Sequence, residues 1–414
     1  MTYVLYRLAM WALVPLALLR LVIRARKQPA YLSHVGERFG FYAQKPTRPV
    51  IWIHAVSVGE TRAVEPLVQA LGELHPDKQI LLTNMTPTGR EASANAYGDR
   101  VLRCYLPYDL TGGVNRFLSH FRPQVAIIME TELWPTLVAT CSRDGIPVHL
   151  VNARLSGRSA KRYARFATLS RHMLAALRTI GAQTERDAAR FRSLGACRVQ
   201  VTGNLKFDRS VPQEQLSLGA QLRAQFGRDR HVFLAASTRD GEEALLIDTI
   251  SAIADPAMLT VIVPRHPQRF DDVANLLRQA NIAYQRRSEN QPVTAHARVV
   301  LGDSMGEMFA YYAACDVAFI GGSLLALGGQ NLLEACAVGK PVVVGPYTFN
   351  FEEATERAIE AGAAIRVNDS KMLGGTVSTL LQDRAQAMKI GEAGRRFMET
   401  HRGATRKSLE MIGL

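Results

Sequence analysis

Cysteine is scarce and unpatterned. Cys104, Cys141, Cys197, Cys315 and Cys336 stand far apart, with no C-x-x-C pair among them. That excludes a disulfide framework and a structural zinc site, and it leaves small core side chains of a protein kept reduced. A P-loop, a kinase signature, HExxH and D-x-D are all missing as well. The familiar phosphate cradles and metal carboxylates are therefore not what this chain works with. Charge on a leaving group would fall to Arg, Lys and helix N-termini. No low-complexity tract or solenoid-period repeat occurs, which sets aside a disordered or repeat protein.

Acidic residues are also in deficit. Lys and Arg number 50 against 37 Asp and Glu, a formal charge of +13. Such an excess seeks a polyanion. Of the basic clusters, Arg24-Ala25-Arg26-Lys27, Arg158 to Arg165, Arg286-Arg287 and Arg395-Arg396, only the second holds an aromatic, the single Tyr163, which is too little to stack a run of bases. Nucleic acid is thereby disfavoured, and anionic lipid or a phosphorylated substrate is favoured. The bland reading of each cluster alone is a solvated surface.

What is present begins at the N-terminus. Leu8 to Leu19 carries no charge, with Arg7 before it and Arg20, Arg24, Arg26 and Lys27 behind. The run is shorter than the roughly 20 residues of a comfortable span. Snorkelling arginines can extend it, and no small-residue cleavage site follows. Residues 1–27 are expected to be a membrane anchor or an interfacial helix, with the basic flank keeping the rest of the chain cytoplasmic.

Beyond the anchor, short apolar runs alternate with amphipathic stretches. Val50–Val56, Ile80–Thr83, Val125–Ile128, Val148–Val151 and Val199–Val201 read as buried strands. After a polar, Gln-rich stretch near 211–225, a second set follows: Val232–Ala235, Leu259–Val263, Val299–Leu301, Val317–Ile320 and Pro341–Val344. Alternation of this kind predicts parallel α/β sheets, and its restart predicts two doubly wound domains, 28–210 and 211–414. Ligands of such sheets bind at the carboxyl ends of strands, so the facing loop sets and the cleft between them are the expected site.

Several loops at those ends carry reactive side chains. Ser57-Val58-Gly59-Glu60 turns a strand into a helix, and Glu60 in the first helical turn is either a helix-end carboxylate or a general base that the dipole keeps ionised. Glu130-Thr131-Glu132 precedes Trp134-Pro135, with more acid than capping requires. Asn152 to Ser156 adds polar groups to the same rim. Lys206, in Gly203 to Asp208, is a surface lysine or a point charge for a departing phosphate. In the second half, Ser237-Thr238-Arg239, Pro264-Arg265-His266-Pro267, Gly302 to Met308, Gly321-Gly322-Ser323 and Gly328 to Glu334 each follow a strand or open a helix. Small residues there let N–H groups close on a phosphate, Arg265 offers a bidentate donor, and Glu334 is suited to accept ribose hydroxyls.

Taken together these segments resemble the 3-deoxy-D-manno-octulosonic acid (Kdo) transferases of Gram-negative bacteria. The motifs that carry the resemblance are Gly36-Glu37-Arg38-Phe39-Gly40, Ser57 to Thr61, Met85-Thr86-Pro87-Thr88-Gly89, Leu106-Pro107-Tyr108-Asp109, Glu130 to Pro135, Pro264 to Pro267, Gly345-Pro346 and Asn350-Phe351. The resemblance implies a GT-B fold of two Rossmann-like domains, the first binding acceptor and the second donor. It implies CMP-Kdo as donor, a tetraacylated, phosphorylated lipid A precursor as acceptor, and an inverting reaction with no metal and no cofactor, at the cytoplasmic face of the inner membrane. Glu60 matches the family's general base. Glu130, Thr131, Glu132 and Lys206 match positions that stabilise the transition state. Pro264, Arg265, Met305, Gly306, Glu307, Asn331, Leu332, Leu333 and Glu334 match the CMP-contacting segments. Gln330 departs from the pattern, standing where some relatives carry His. Two other readings remain: a sugar-nucleotide enzyme with a diphosphate donor, such as an epimerase or another lipid-directed transferase, and a basic membrane scaffold without activity, which leaves the polar strand tips unexplained.

Overall fold

A computed structural model of the protein describes residues 3–26, 28–253, 255 and 257–414. Met1, Thr2 and Lys27, which belong to the expected anchor, lie outside the described residues. The chain divides into two compact units, residues 1–209 with 401–414, and residues 210–400.

The first unit is built on strands β1 (Val50–His54), β2 (Gln79–Asn84), β3 (Val101–Tyr105), β4 (Pro123–Met129), β5 (Val148–Ala153), β6 (Thr179–Ala182) and β7 (Val199–Val201). They form one parallel sheet in the order β3-β2-β1-β4-β5-β6-β7. The strands are apolar on both sides because both sides are covered. Trp52, Leu81, Ala126, Ile128 and Leu150 pack into one core, while Ile51, Ile53, Leu82, Val125 and Ile127 pack into another. Strand order reverses between β1 and β4, which opens a crevice at their carboxyl ends.

The second unit repeats the plan with β8 (Val232–Thr238), β9 (Leu259–Pro264), β10 (Tyr284–Arg286), β11 (Val299–Leu301), β12 (Val317–Ile320), β13 (Val342–Val344) and β14 (Ala364–Arg366). The order is β10-β11-β9-β8-β12-β13-β14, again all parallel, with the reversal between β8 and β12. The Gln-rich stretch between the two strand sets is a helix, Gln213–Phe226, which buries Gly219, Leu222 and Phe226. Gly219 faces Ala313 so closely that a Cβ there would sit 2.5 Å from the alanine's own, which is why the helix needs a glycine at that contact.

The last residues depart from the sequence division at 210/211. Helix Ala404–Ile412 belongs to the first unit, where Ala404, Met411 and Ile412 join the core that holds Ile51 and Ile53. Asp208 fixes its start, accepting the N–H of Gly403 at 2.6 Å and of Thr405 at 2.5 Å. Periodicity could not assign this segment, because an amphipathic helix fits either sheet equally well.

The N-terminal helix runs Tyr3–Ala25 and is apolar enough in length and composition to meet a membrane.

Candidate active site

Glu60 sits where β1 gives way to helix Val58–Ala63, and local chemistry explains its pose. Ser57 caps the helix, its Oγ accepting the Glu60 N–H at 3.4 Å. The carboxylate folds back, Oε2 accepting from Val56 N at 2.9 Å and Oε1 from Ser57 Oγ at 2.9 Å. This is a variant of the capping box, reaching one residue further upstream than usual. The Met85–Gly89 motif braces the same loop. Met85 N and Thr86 Oγ1 both donate to Val56 O, and Asn84 Nδ2 donates to Ala55 O and Thr61 Oγ1. A Cβ on Gly89 would meet Val56 O at 3.0 Å and Thr86 Oγ1 at 2.9 Å, so the motif's glycine is a requirement of close approach.

The acidic tip follows β4, the neighbour of β1 across the strand-order reversal. Glu130 adopts φ 55°, a left-handed conformation uncommon outside glycine and often found at functional sites. Asn152, at the tip of neighbouring β5, does the same with φ 54°. Glu60 is only 8% exposed. Burial pushes its carboxyl up to about 7, and the charges of Glu130 and Glu132 add to the rise. The hydrogen bonds from Val56 and Ser57 pull the other way and do not prevail. Desolvation and like charge thus work against the helix dipole that the sequence reading invokes to keep Glu60 ionised. Glu132 is raised as well, by burial and then by Glu130, against a lowering contact with the Trp134 indole. Three carboxyls at one crevice, one of them poised near neutrality, can hold and release a proton.

Lys206 lies on the short turn Leu205–Asp208 after β7, fixed through its neighbours. Asn204 Oδ1 accepts its N–H at 3.0 Å, and Asn152 Oδ1 accepts the N–H of Leu205 at 3.1 Å. Gln183 links the two asparagines, donating to Asn152 O and accepting from Asn204 Nδ2. The tips of β5 and β7 are thus tied into one polar edge. A hollow of about 530 Å³ elsewhere in this unit, lined by Glu37, Arg90 and Tyr105 among others, includes none of the predicted site residues.

In the second unit the strand tips gather positive charge and open backbone. Arg265 follows β9 and Arg239 follows β8. Together with Arg269 they hold His266 below its ordinary range, after burial, which lowers it most. Gly321, at the tip of β12, would place a Cβ 2.6 Å from Ser237 O, so only glycine lets β8 and β12 come this close at their tips. Met305 and Gly306 are exposed on the loop after β11. Glu307 is anchored there by Ser304 Oγ at 2.7 Å and by Arg287, whose Nε lies 3.3 Å from its Oε2. Asn331 Oδ1 accepts the N–H of Leu333 at 3.1 Å, which starts helix Leu333–Val338 and sets Glu334 in its first turn. Leu332 and Leu333 are buried beneath that turn, and Pro264 is buried as the last residue of β9.

Sequence reasoning missed two buried acids that shape these rims. Glu242 is fully buried and accepts three backbone N–H groups, from Arg239 at 3.0 Å, Gly322 at 2.5 Å and Leu324 at 3.0 Å. It ties the β8 tip to the glycine loop after β12. Asp109, in the Leu106–Asp109 motif, accepts the N–H of Thr136 and of Leu137 at 2.8 Å each, and so caps the helix that follows the acidic tip. The signal available for Glu242 was a carboxylate directly after Gly241, and for Asp109 its place at the end of the Leu106–Asp109 motif.

A family profile described as 3-Deoxy-D-manno-octulosonic-acid transferase (kdotransferase) matches residues 33–209, and one described as Glycosyl transferases group 1 matches residues 280–397. The chain is 42% identical to a 3-deoxy-D-manno-octulosonic acid transferase of Bordetella pertussis, covering 98% of both chains. It is 38% identical to one of Haemophilus influenzae, over 96% of this chain and 95% of that one. In fold it is similar to the UDP-GlcNAc 2-epimerase of Neisseria meningitidis, with TM-score 0.60, 16% identity and coverage of 88% and 99%. A glycosyltransferase of Rickettsia africae is similar at TM-score 0.59, 13% identity and coverage of 88% and 98%. The two sheets are those of the GT-B architecture.

Proposed function

The chain belongs to the 3-deoxy-D-manno-octulosonic acid (Kdo) transferase family, and from that premise we propose that it moves Kdo from CMP-Kdo to a tetraacylated, phosphorylated lipid A precursor, with inversion and without a divalent metal. In this reading the first unit takes the acceptor and the second the donor. The protein works at the inner membrane, with both units on the cytoplasmic face.

The observation that carries the reading is the poised Glu60 carboxyl beside Glu130 and Glu132, at the point where strand order reverses. An acceptor hydroxyl is a weak nucleophile while it keeps its proton. Glu60 takes that proton as the oxygen attacks the anomeric carbon, and the bond from that carbon to the CMP phosphate oxygen breaks. The carboxylates of Glu130 and Glu132, with the Thr131 hydroxyl, face the positive charge that develops on the sugar. Lys206 and Arg265 offset the charge of the departing phosphate. Loops 305–307 and 331–334 hold the nucleotide, with Glu334 accepting from its ribose. The +13 charge suits a phosphorylated lipid in an anionic membrane.

Purified enzyme incubated with CMP-Kdo and the lipid A precursor should yield an acceptor heavier by Kdo, read by mass spectrometry. No mass gain, or calorimetry in which UDP binds and CMP does not, overturns the reading in favour of a diphosphate-sugar enzyme.

A further inference from the structure

The side chains of the N-terminal helix sort into two stripes. Tyr3, Tyr6, Met10, Val14, Ala17, Leu21 and Ala25 are its less exposed residues, and they recur every three or four positions from one end to the other. That spacing is one face of an α-helix, so the helix lies lengthwise against the first unit. Both of its ends are fastened. Tyr3 Oη donates to Pro135 O at 2.5 Å and Tyr6 Oη to Asp109 Oδ2 at 2.7 Å. Leu21 is buried, and Arg24 reaches Tyr31 Oη at 3.5 Å with its guanidinium 5.4 Å from the ring centre.

The opposite stripe is apolar and open. Leu5, Leu8, Leu16, Leu19 and Ile23 are all between 54% and 61% exposed, and Trp11 flanks them. Water is a poor neighbour for such a row, and a patch of this extent marks a contact surface. A lone interfacial helix needs a polar face to keep it from plunging into lipid. Here the protein supplies that face through the docked stripe. The charge-free stretch from Leu8 to Leu19 extends only roughly 18 Å at ~1.5 Å per residue, against about 30 Å of hydrocarbon. If the helix crossed the bilayer, Asp109 and the helix that it caps would have to be dragged toward the lipid, or the Tyr6 contact would break. The neighbouring helix Gly157–Arg165 exposes Arg158, Lys161, Arg162 and Arg165, and its Tyr163 lies close enough to Tyr6 to interact electrostatically. Cations set beside an apolar stripe fit the headgroup layer of an anionic leaflet.

We propose that the N-terminal helix lies flat in one leaflet, its Leu5–Ile23 stripe in lipid and its Tyr3–Ala25 stripe on the first unit, so that its N-terminal end stays on the face that carries the catalytic units. Arg7 and Arg20 then snorkel sideways to phosphates. This rests on the proposed membrane association and goes beyond it, since an anchor of the same composition could equally cross.

The test uses the full-length protein with a protease-cleavable N-terminal tag in bacterial inner-membrane vesicles. In inside-out vesicles, whose outer surface is cytoplasmic, added protease should remove the tag; in spheroplasts the tag should survive. Spin labels at Leu8→Cys, Leu16→Cys and Ile23→Cys, in a Cys197→Ser background, should report one common depth; Cys197 is the exposed native thiol, the other four being buried. A tag cut only in spheroplasts, or depths that change by about 1.5 Å per residue along the helix, overturns the flat orientation and leaves membrane association standing. Protein found wholly in the soluble fraction overturns both.

Discussion

Ser57 and Glu60 hold each other in place: the serine Oγ accepts the Glu60 N–H at 3.4 Å and donates to Glu60 Oε1 at 2.9 Å. The pair fixes the carboxyl without neutralising it. Glu60→Gln keeps the shape but cannot accept a proton. On the general-base reading kcat should fall about 10²–10⁴-fold, with CMP affinity nearly unchanged. Measuring kcat, CMP affinity and melting temperature on the one variant decides the matter. Near-normal turnover would move the base to Glu130 or Glu132.

The same carboxyl sets a pH dependence with two opposite signs. Its folded value of about 7 lies above the ordinary carboxylate range. Activity that needs the ionised base should therefore rise with pH through about 7 and level off above it. Stability should run the other way. The unfolded chain loses this proton first, so Glu60 favours the fold below the ordinary range and loses that contribution as pH climbs through 7. The full loss is on the order of 3 kcal/mol. Thermal melts of wild type and Glu60→Gln at pH 5 and pH 8.5 should show the variant gaining relative stability at the higher pH. An equal difference at both values would contradict the raised carboxyl.

Arg265 belongs to the cationic rim that depresses His266. Arg265→Ala should lose a charge-assisted phosphate contact worth about 1.5–3 kcal/mol, roughly ten- to a hundredfold in CMP affinity by calorimetry. Unchanged affinity would remove Arg265 from the donor site.

Glu242 contacts only backbone in its three hydrogen bonds, yet it joins two donor-side loops. Glu242→Gln turns an acceptor into a donor against one of those N–H groups. It should cost about 1–3 kcal/mol in a urea melt and weaken CMP binding by loosening the glycine loop. A variant with lowered stability and unaltered CMP affinity would show that the loop shape survives without it.

Deleting residues 1–27 should leave both sheets folded, since Asp109 keeps the N–H groups of Thr136 and Leu137 after losing Tyr6. Circular dichroism should be near native and the melting temperature modestly lower. Collapse of the α/β signal would make the helix part of the first unit's core.

Central strands were legible because burial on both faces makes them unbroken apolar runs, as at Ile51-Trp52-Ile53 and Val342-Val343-Val344. The strands that escaped notice carry no such run. β3 interposes Arg103, β6 is Thr-Ile-Gly-Ala, and the outermost β10 and β14 are three residues each and end in arginine. Glu60 and the acidic tip were legible because each directly follows a readable strand. Glu242, Asp109 and Asp208 were not, since each is defined by backbone N–H groups that folding brings from 80, 28 and 195 residues away. A sequence shows the carboxylate in such a pair and hides what it caps.

Because residues 401–414 complete the first unit, the second unit is in sequence terms an insertion within the first. On the ribosome the unit that begins first must finish last. Its core stays open where Ala404, Met411 and Ile412 will seal it, while residues 210–400 are made, roughly 10–40 s at the usual ~5–20 residues per second. During that interval the nascent chain exposes the apolar groove that the Ala404–Ile412 helix will fill, in addition to the apolar stripe of its N-terminal helix. Early delivery of that helix to a lipid surface would protect the polypeptide from aggregation before any catalysis is possible.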